Sequence, residues 1–212
     1  LQSSGGTSNK YLDVSVRVGS PELDNYHVVR GSMARFAGGI GVPLDDNPNA
    51  LRQKIWLETD RVYRNSAQRL ISIQSAQQTN VQKEAAVPDF SAEAPQTGSA
   101  VPAKLSFNRN TWEDRAKKWS SQFSTQTGIL ASQINISAVR EVKTLVNTEG
   151  TRLEHGRLFA RITVSARAKA SDGMDLVATE SFEAADPSRL PGDAEVEKAV
   201  EKVQKTVTAL LR

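Results

Sequence analysis

Residues 134–183 read INISAVREVKTLVNTEGTRLEHGRLFARITVSARAKASDGMDLVATESFE, and this stretch decides the fold. From Ile134 to Val146 the residues alternate, with Ile134, Ile136 and Ala138, then Val142, Thr144 and Val146, on one face. A period of two marks a half-buried strand. Asn147-Thr148-Glu149-Gly150 interrupts it as a turn whose glycine supplies a positive φ. Thr151 to Lys169 follows as the next strand, with Leu158, Ala160, Ile162, Val164 and Ala166 on one face. Ser171-Asp172-Gly173 is a hairpin turn, and Met174 to Glu183 returns as a third strand. The stretch therefore predicts a three-stranded antiparallel meander.

On either side the period changes to 3.6. After Pro187 and Pro191-Gly192, Asp193 reads as an N-cap. Val196, Ala199, Val200, Val203, Val207 and Leu210 then form an apolar stripe at i, i+3, i+4, i+7 spacing. This helix is expected to pack on the meander. Ahead of the meander, Thr111 reads as the N-cap of a helix whose stripe is Trp112, Ala116, Trp119 and Phe123, ending at Gly128.

The first half of the chain is less regular. Lys10 to Val18 (KYLDVSVRV) alternates as a strand, and Leu23 to Arg30 reads as its partner. Gly31 to Asn49, rich in Gly and Pro, reads as a loop. A long helix is predicted from Pro48 to Lys83, capped by Asn47, with Leu51, Ile55, Val62, Ala67, Leu70 and Ile73 inward and Trp56 and Tyr63 widening the stripe. Val87 to Pro102, with three prolines, reads as an extended loop without a core of its own. Together the elements predict an α+β domain over residues 1–212, with a helical and Pro-rich excursion over about 31–110. An antiparallel, curved sheet ending in the meander would be covered by one long and two shorter helices.

Composition narrows the chemistry. The chain has 212 residues and no cysteine, which excludes disulfides, thiol nucleophiles, iron–sulfur clusters and Cys-ligated zinc within it. With 38% hydrophobic residues it is an ordinary globular chain, and no apolar run reaches the roughly 18 residues of a membrane span. The formal net charge of +3 argues against a strong nucleic-acid footprint. The chain opens on Leu1 with no leader pattern and closes at Leu210-Leu211-Arg212 inside a predicted helix, which reads as a fragment of a longer polypeptide.

The residues offer no catalytic constellation. His27 and His155 stand outside any HExxH pattern, and no GxSxG, GxGxxG or Walker motif occurs. A zinc site would need both histidines to converge with a carboxylate. Gly38-Gly39-Ile40-Gly41 lacks the Lys-Ser/Thr of a phosphate loop and reads as a turn. Arg157, Arg161, Arg167 and Lys169 share a strand face, with Arg152 in the same strand and Arg140 and Lys143 in its neighbour. This strip is either a solvated face opposite the core or a basic surface for nucleic acid, carboxylates or an acidic partner. Only Phe159 interleaves with it, so base stacking is poorly served. Trp56, Trp112 and Trp119 occupy helical positions suited to a core.

Val142 to Phe182 resembles the TldD/PmbA family, described as modulators of DNA gyrase and zinc metallopeptidases. The resemblance rests on Asn147-Thr148-Glu149-Gly150, Arg161-Ile162-Thr163-Val164-Ser165 and Asp172-Gly173 in order. Earlier, Val18-Gly19 and Leu23-Asp24-Asn25 look like the family's strand ending in VG and its LDN stretch. The match covers about a third of the chain closely and most of it loosely. It implies a non-catalytic N-terminal domain that walls a peptide channel and contributes a dimer surface. The family's HExxxH helix and later Cys ligand belong to a C-terminal domain absent from this chain, as does the zinc. No catalytic, metal or cofactor residue is therefore assigned here, and enzyme activity would belong to the parent protein. The implied partners are a peptide or unfolded polypeptide, that C-terminal domain, and a homo- or hetero-dimeric mate, with no membrane. The implied compartment is the bacterial cytoplasm, with export left open. The alternatives are an interaction or envelope scaffold and, from a pI near 9.2, a nucleic-acid-binding gyrase modulator.

Overall fold

The computed structural model describes residues 3–29, 39–45, 47–79 and 87–211. They form two compact units, Leu1–Glu93 and Ala94–Arg212. The chain is α+β: among the described residues three α-helices accompany sheets that are mainly antiparallel.

The first unit has little regular ladder. β1 (Tyr11–Leu12) pairs antiparallel with β4 (Ile40–Gly41), and β2 (Gly19–Ser20) pairs with β3 (Leu23–Asp24). The predicted strand from Lys10 to Val18 is thus reduced to its first residues, and that from Leu23 to Arg30 to two. Burial does alternate from Tyr11 to Val18, as the pattern requires. The ladder stops because a side chain replaces it. Val18 N–H donates to Asn25 Oδ1 at 2.7 Å, and Asn25 Nδ2 donates to Val16 O at 3.1 Å. The amide does the work of a neighbouring strand's backbone. The glycine run supplies β4 through Ile40–Gly41; Gly38 and the rest of the 31–38 loop lie outside the described residues.

α1 (Pro48–Thr79) starts where predicted, with Asn47 Oδ1 accepting from Asn49 N at 3.0 Å and Ala50 N at 3.2 Å. The predicted continuation over 80–83 lies outside the described residues. Its inward stripe differs from the apolar one expected. Ile73 is buried, but so are Glu58 and Ser66, whereas Leu51, Ile55 and Tyr63 are exposed and Trp56 is 73% exposed. The physical reason is what the helix meets. The irregular 16–26 backbone presents carbonyls that need donors, so Ser66 Oγ donates to Val16 O and Arg69 Nε to Asn25 O.

The second unit is built on a four-stranded sheet. β5 (Thr97–Ala100) lies within the segment expected to be a structureless loop, and it runs parallel to residues 152–155. β6 (Ala131–Val146), β7 (Arg152–Lys169) and β8 (Asp175–Ala184) form the predicted antiparallel meander, in continuous register from Ala131↔Arg167 to Val146↔Arg152 and from Ala160↔Ala184 to Lys169↔Asp175. Both turns keep their glycines at positive φ, 100° at Gly150 and 91° at Gly173.

One face of the meander carries the core. Ala160, Ile162, Val164, Ala166 and Ala168 of β7 and Leu176 and Ala178 of β8 pack against α3 (Asp193–Leu210) through Val196, Val200, Val203 and Val207. α2 (Arg109–Ser121) adds Trp119, and the 3₁₀ turn after it adds Phe123. Burying each such aliphatic side chain contributes roughly 1.5–3 kcal/mol before entropy. The caps fall slightly away from the predicted positions. Asn108, not Thr111, caps α2, its Oδ1 accepting from Thr111 N at 3.2 Å. Gly192 precedes α3, so Asp193 lies inside the first turn, where its charge suits the helix dipole. α2 ends before Gly128, which serves the turn into β6 instead.

Candidate functional site

Among the described residues, the core cluster does not extend to the opposite face of the meander. Its side chains come from the odd-numbered residues: Gln133, Asn135 and Ser137 on β6, facing Ser165, Thr163 and Arg161 on β7. These six line a shallow depression of about 340 Å³. The register extends the strip onto β8 through Thr179, Ser181 and Glu183. The period-two pattern that sends Ile134, Ile136, Ile162 and Val164 inward necessarily turns these residues outward. They offer hydroxyls, amides and one guanidinium, which suits hydrogen bonding to an extended polar chain better than acid–base chemistry.

Three arginines of the basic strip share this face, and each is paired with an acid there. Arg157 donates to Glu141 at 3.0 Å, Arg161 to Glu183 at 2.5 Å and Arg167 to Asp175 at 3.1 Å. Glu141 and Glu183 sit directly across the ladder from their arginines, and Asp175 lies diagonally, opposite Lys169. Lys143, and secondarily Arg157, hold the Glu141 carboxyl below the usual carboxylate range. Cross-strand ion pairs of this kind suit a solvated sheet face.

The sheet also ends in two edges. β7 is central, flanked by β6 on one side and by β5 and β8 on the other, so Thr151 to Lys169 has no long edge to offer an incoming strand. Among the described residues, β6 and β8 carry no partner strand on their outer sides. Unpaired strand edges are templates for another chain.

A second constellation lies in the first unit and was not foreseen. Asp24, fully buried, accepts from Arg17 Nη1 and from Tyr26 N at 2.7 Å. Arg17 lies between two rings, 4.8 Å from the centre of Tyr26 and 4.7 Å from that of Phe90. Asp89 accepts from Asp24 N at 2.8 Å and meets His27 Nδ1 at 2.7 Å, which assigns the proton to Nδ1. His27 Nε2 lies 3.3 Å from Gln77 Nε2. Leu23-Asp24-Asn25 thus serves as the centre of a polar fastening, and the start of the Pro-rich segment is its clasp. The sequence signal available was an Asp-Asn pair inside an apolar alternation, which asks for internal partners once buried.

His155 lies in β7, across from Lys143 and Ala100, in the second unit, while His27 is in the first. Among the described residues no group of three or more His, Cys, Asp or Glu is placed to hold a metal ion. Trp119 is wholly buried and Trp112 packs on the same core, but the exposed Trp56 is not a core residue. Among the described residues no helix is long and apolar enough to cross a membrane. Comparison with known protein families, curated proteins and solved structures gives no match.

Proposed function

We propose that this chain is the non-catalytic N-terminal domain of a TldD/PmbA-like protein, forming a wall of a peptide-binding channel and part of a dimer surface. The observation that carries the reading is the hydrogen-bonding face of the meander beside an unpaired strand edge. An extended peptide adds to the edge of β8 through its backbone, while the strip beside it receives alternate side chains. The strands Thr151 to Lys169 and Lys10 to Val18 do not serve, since β7 is flanked on both sides and Lys10 to Val18 is mostly outside any ladder. The residues behind the resemblance have structural roles. Asn147 Oδ1 accepts from Thr151 N at 2.9 Å in the turn between β6 and β7, and Asp24-Asn25 fastens the first unit.

The test is binding of an unstructured polypeptide to this chain, followed by fluorescence anisotropy. Ala170 N donates to Met174 O, so in β8 the odd residues turn their N–H groups outward. Thr179→Pro removes one such donor without removing a ladder bond and is expected to weaken binding. Unchanged binding would exclude β8 as the edge. The family reading also requires an HExxxH helix and zinc in the C-terminal domain of the parent; a parent without that helix overturns it. The second reading, an interaction or envelope scaffold, is favoured by the exposed Leu51, Ile55, Trp56 and Tyr63 of α1. It predicts capture of a folded partner through α1 and no affinity for unfolded chain.

A further inference from the structure

The outer edge of β6 differs from that of β8 in one respect: its distal half is complementary to itself. Asn147 N donates to Thr151 O, continuing the register of Val146↔Arg152. Odd residues of β6 therefore exchange their backbone bonds with β7, and even residues turn N–H and C=O outward. Suppose two copies of this edge meet antiparallel about a two-fold axis through Val142. Val142 then faces its own counterpart as a hydrogen-bonded pair. On either side Glu141 faces Lys143, Val139 faces Leu145 and Ala138 faces Val146. Val139, Ala138 and Val142 each meet an apolar side chain, and Glu141 and Lys143 each meet the opposite charge. Arg140 faces Thr144, and its guanidinium is already drawn back to the carbonyls of Ala103 at 3.1 Å and Pro102 at 3.3 Å.

Neighbouring registers fail. An axis through Glu141 or Lys143 puts like charges face to face, and one through Arg140 sets two arginines together, which is destabilising for directly opposed residues. Charges on an edge strand normally deter pairing; here their i, i+2 order makes them select one register. The apolar members are open to solvent, with Val139 53% exposed, Leu145 52% and Val146 68%.

We propose that β6 is the dimer surface, joining two copies of this chain into one continuous sheet through an antiparallel β6–β6 pair centred on Val142. The proposal rests on the reading above only for the existence of a dimer, and it leaves the β8 edge to the peptide.

The chain has no cysteine, so a single introduced thiol reports on the pairing without interference. Opposed Cα atoms in a hydrogen-bonded antiparallel pair lie about 5.5 Å apart, within the roughly 4.4–6.8 Å that a disulfide spans. Val142→Cys is expected to give a disulfide-linked dimer on mild oxidation, and Val177→Cys on the exposed face of β8 to remain monomeric. Light scattering is expected to find wild type dimeric. Lys143→Glu and Glu141→Lys each replace two attractive pairs with two repulsive ones and should raise the dimer Kd by roughly tenfold or more. Mixed together, the two variants restore both opposite-charge pairs and are expected to form a heterodimer. A monomeric wild type, equal crosslinking at residues 142 and 177, or no rescue on mixing each overturns the proposal. Lys143→Glu is expected to leave peptide binding at β8 unchanged. Peptide binding by a monomeric wild type would therefore sink this inference alone, whereas dimerisation without peptide binding would sink the channel reading alone.

Discussion

The two units are held together by different physics. In the second, an apolar sheet face meets two helices, and the buried set is almost entirely Ala, Val, Ile, Leu, Trp and Phe. In the first, the most deeply buried side chains include Asp24, Asn25, Glu58 and Ser66, joined by directed hydrogen bonds. Apolar burial is non-directional and tolerates approximate partners. A buried polar network is satisfied only when every member finds its own acceptor or donor. The second unit is thus a frame on which strand edges can be displayed, and the first depends on a few irreplaceable contacts.

The sharpest way to break this contrast is at Trp119. Trp119→Ala should cost about 3–5 kcal/mol by urea unfolding, since it empties the space between α2, α3 and the sheet. Trp119→Phe should cost far less, because indole Nε1 is buried without a hydrogen-bond partner among the described residues. A comparable loss for both would mean that the site depends on the N–H group rather than on volume.

Next comes the first unit. Asp24→Ala leaves Tyr26 N and the Arg17 guanidinium without their acceptor and should cost about 1–3 kcal/mol. Amide hydrogen exchange is the better measurement, because protection should be lost around residues 16–27 and kept in the meander. Loss spreading equally into the meander would erase the distinction between the units.

Gly156→Ala tests how the 101–103 segment lies on the sheet. A Cβ there would meet Glu141 O at 2.1 Å and Pro102 Cδ at 2.9 Å, so about 1–2 kcal/mol of destabilisation is expected from the overpacking. A neutral thermal shift would show that the β6 backbone and the segment both yield freely.

The smallest effect is electrostatic. Arg115 donates to Asp193 at 2.7 Å and holds its carboxyl below the usual aspartate range. A carboxyl with a depressed folded pKa adds stability above its unfolded value of about 3.9 and loses it as pH falls through the folded value. The group is 40% exposed, so solvent screening limits the contribution to about 0.2–1 kcal/mol near neutral pH. Asp193→Asn should therefore lower the melting temperature slightly at neutral pH and match wild type near about pH 2. A difference persisting in strong acid would point to lost packing instead of lost charge.

The meander was legible because its information is local: alternation at Ile134, Ile136, Ile162 and Val164 assigns faces, and Gly150 and Gly173 mark the turns. α3 was legible for the same reason at period 3.6. The stripe of α1 was misread because Trp56 and Tyr63 look like core residues in any helical projection. What faces inward there was decided by the carbonyls of Val16 and Asn25, which come from another part of the chain. The polar face beside β8 was implicit in the strand pattern, as the complement of the core, but its arginines read as a basic strip until Glu141, Asp175 and Glu183 were aligned across the ladder.

By itself, then, the sequence determined the α+β class, the strand faces, the turns and the absence of any thiol chemistry within the chain. It also carried the self-complementary order Val139 to Leu145, whose meaning depends on which edge of β6 is free. Only the tertiary structure decided that β7 is central and β6 and β8 are edges, that Asp89 clasps Asp24 and His27, and that Arg157, Arg161 and Arg167 of the basic strip are paired with acids. Those outcomes depend on pairing between residues far apart in sequence, and periodicity along one segment carries no information about which distant segment will satisfy its hydrogen bonds.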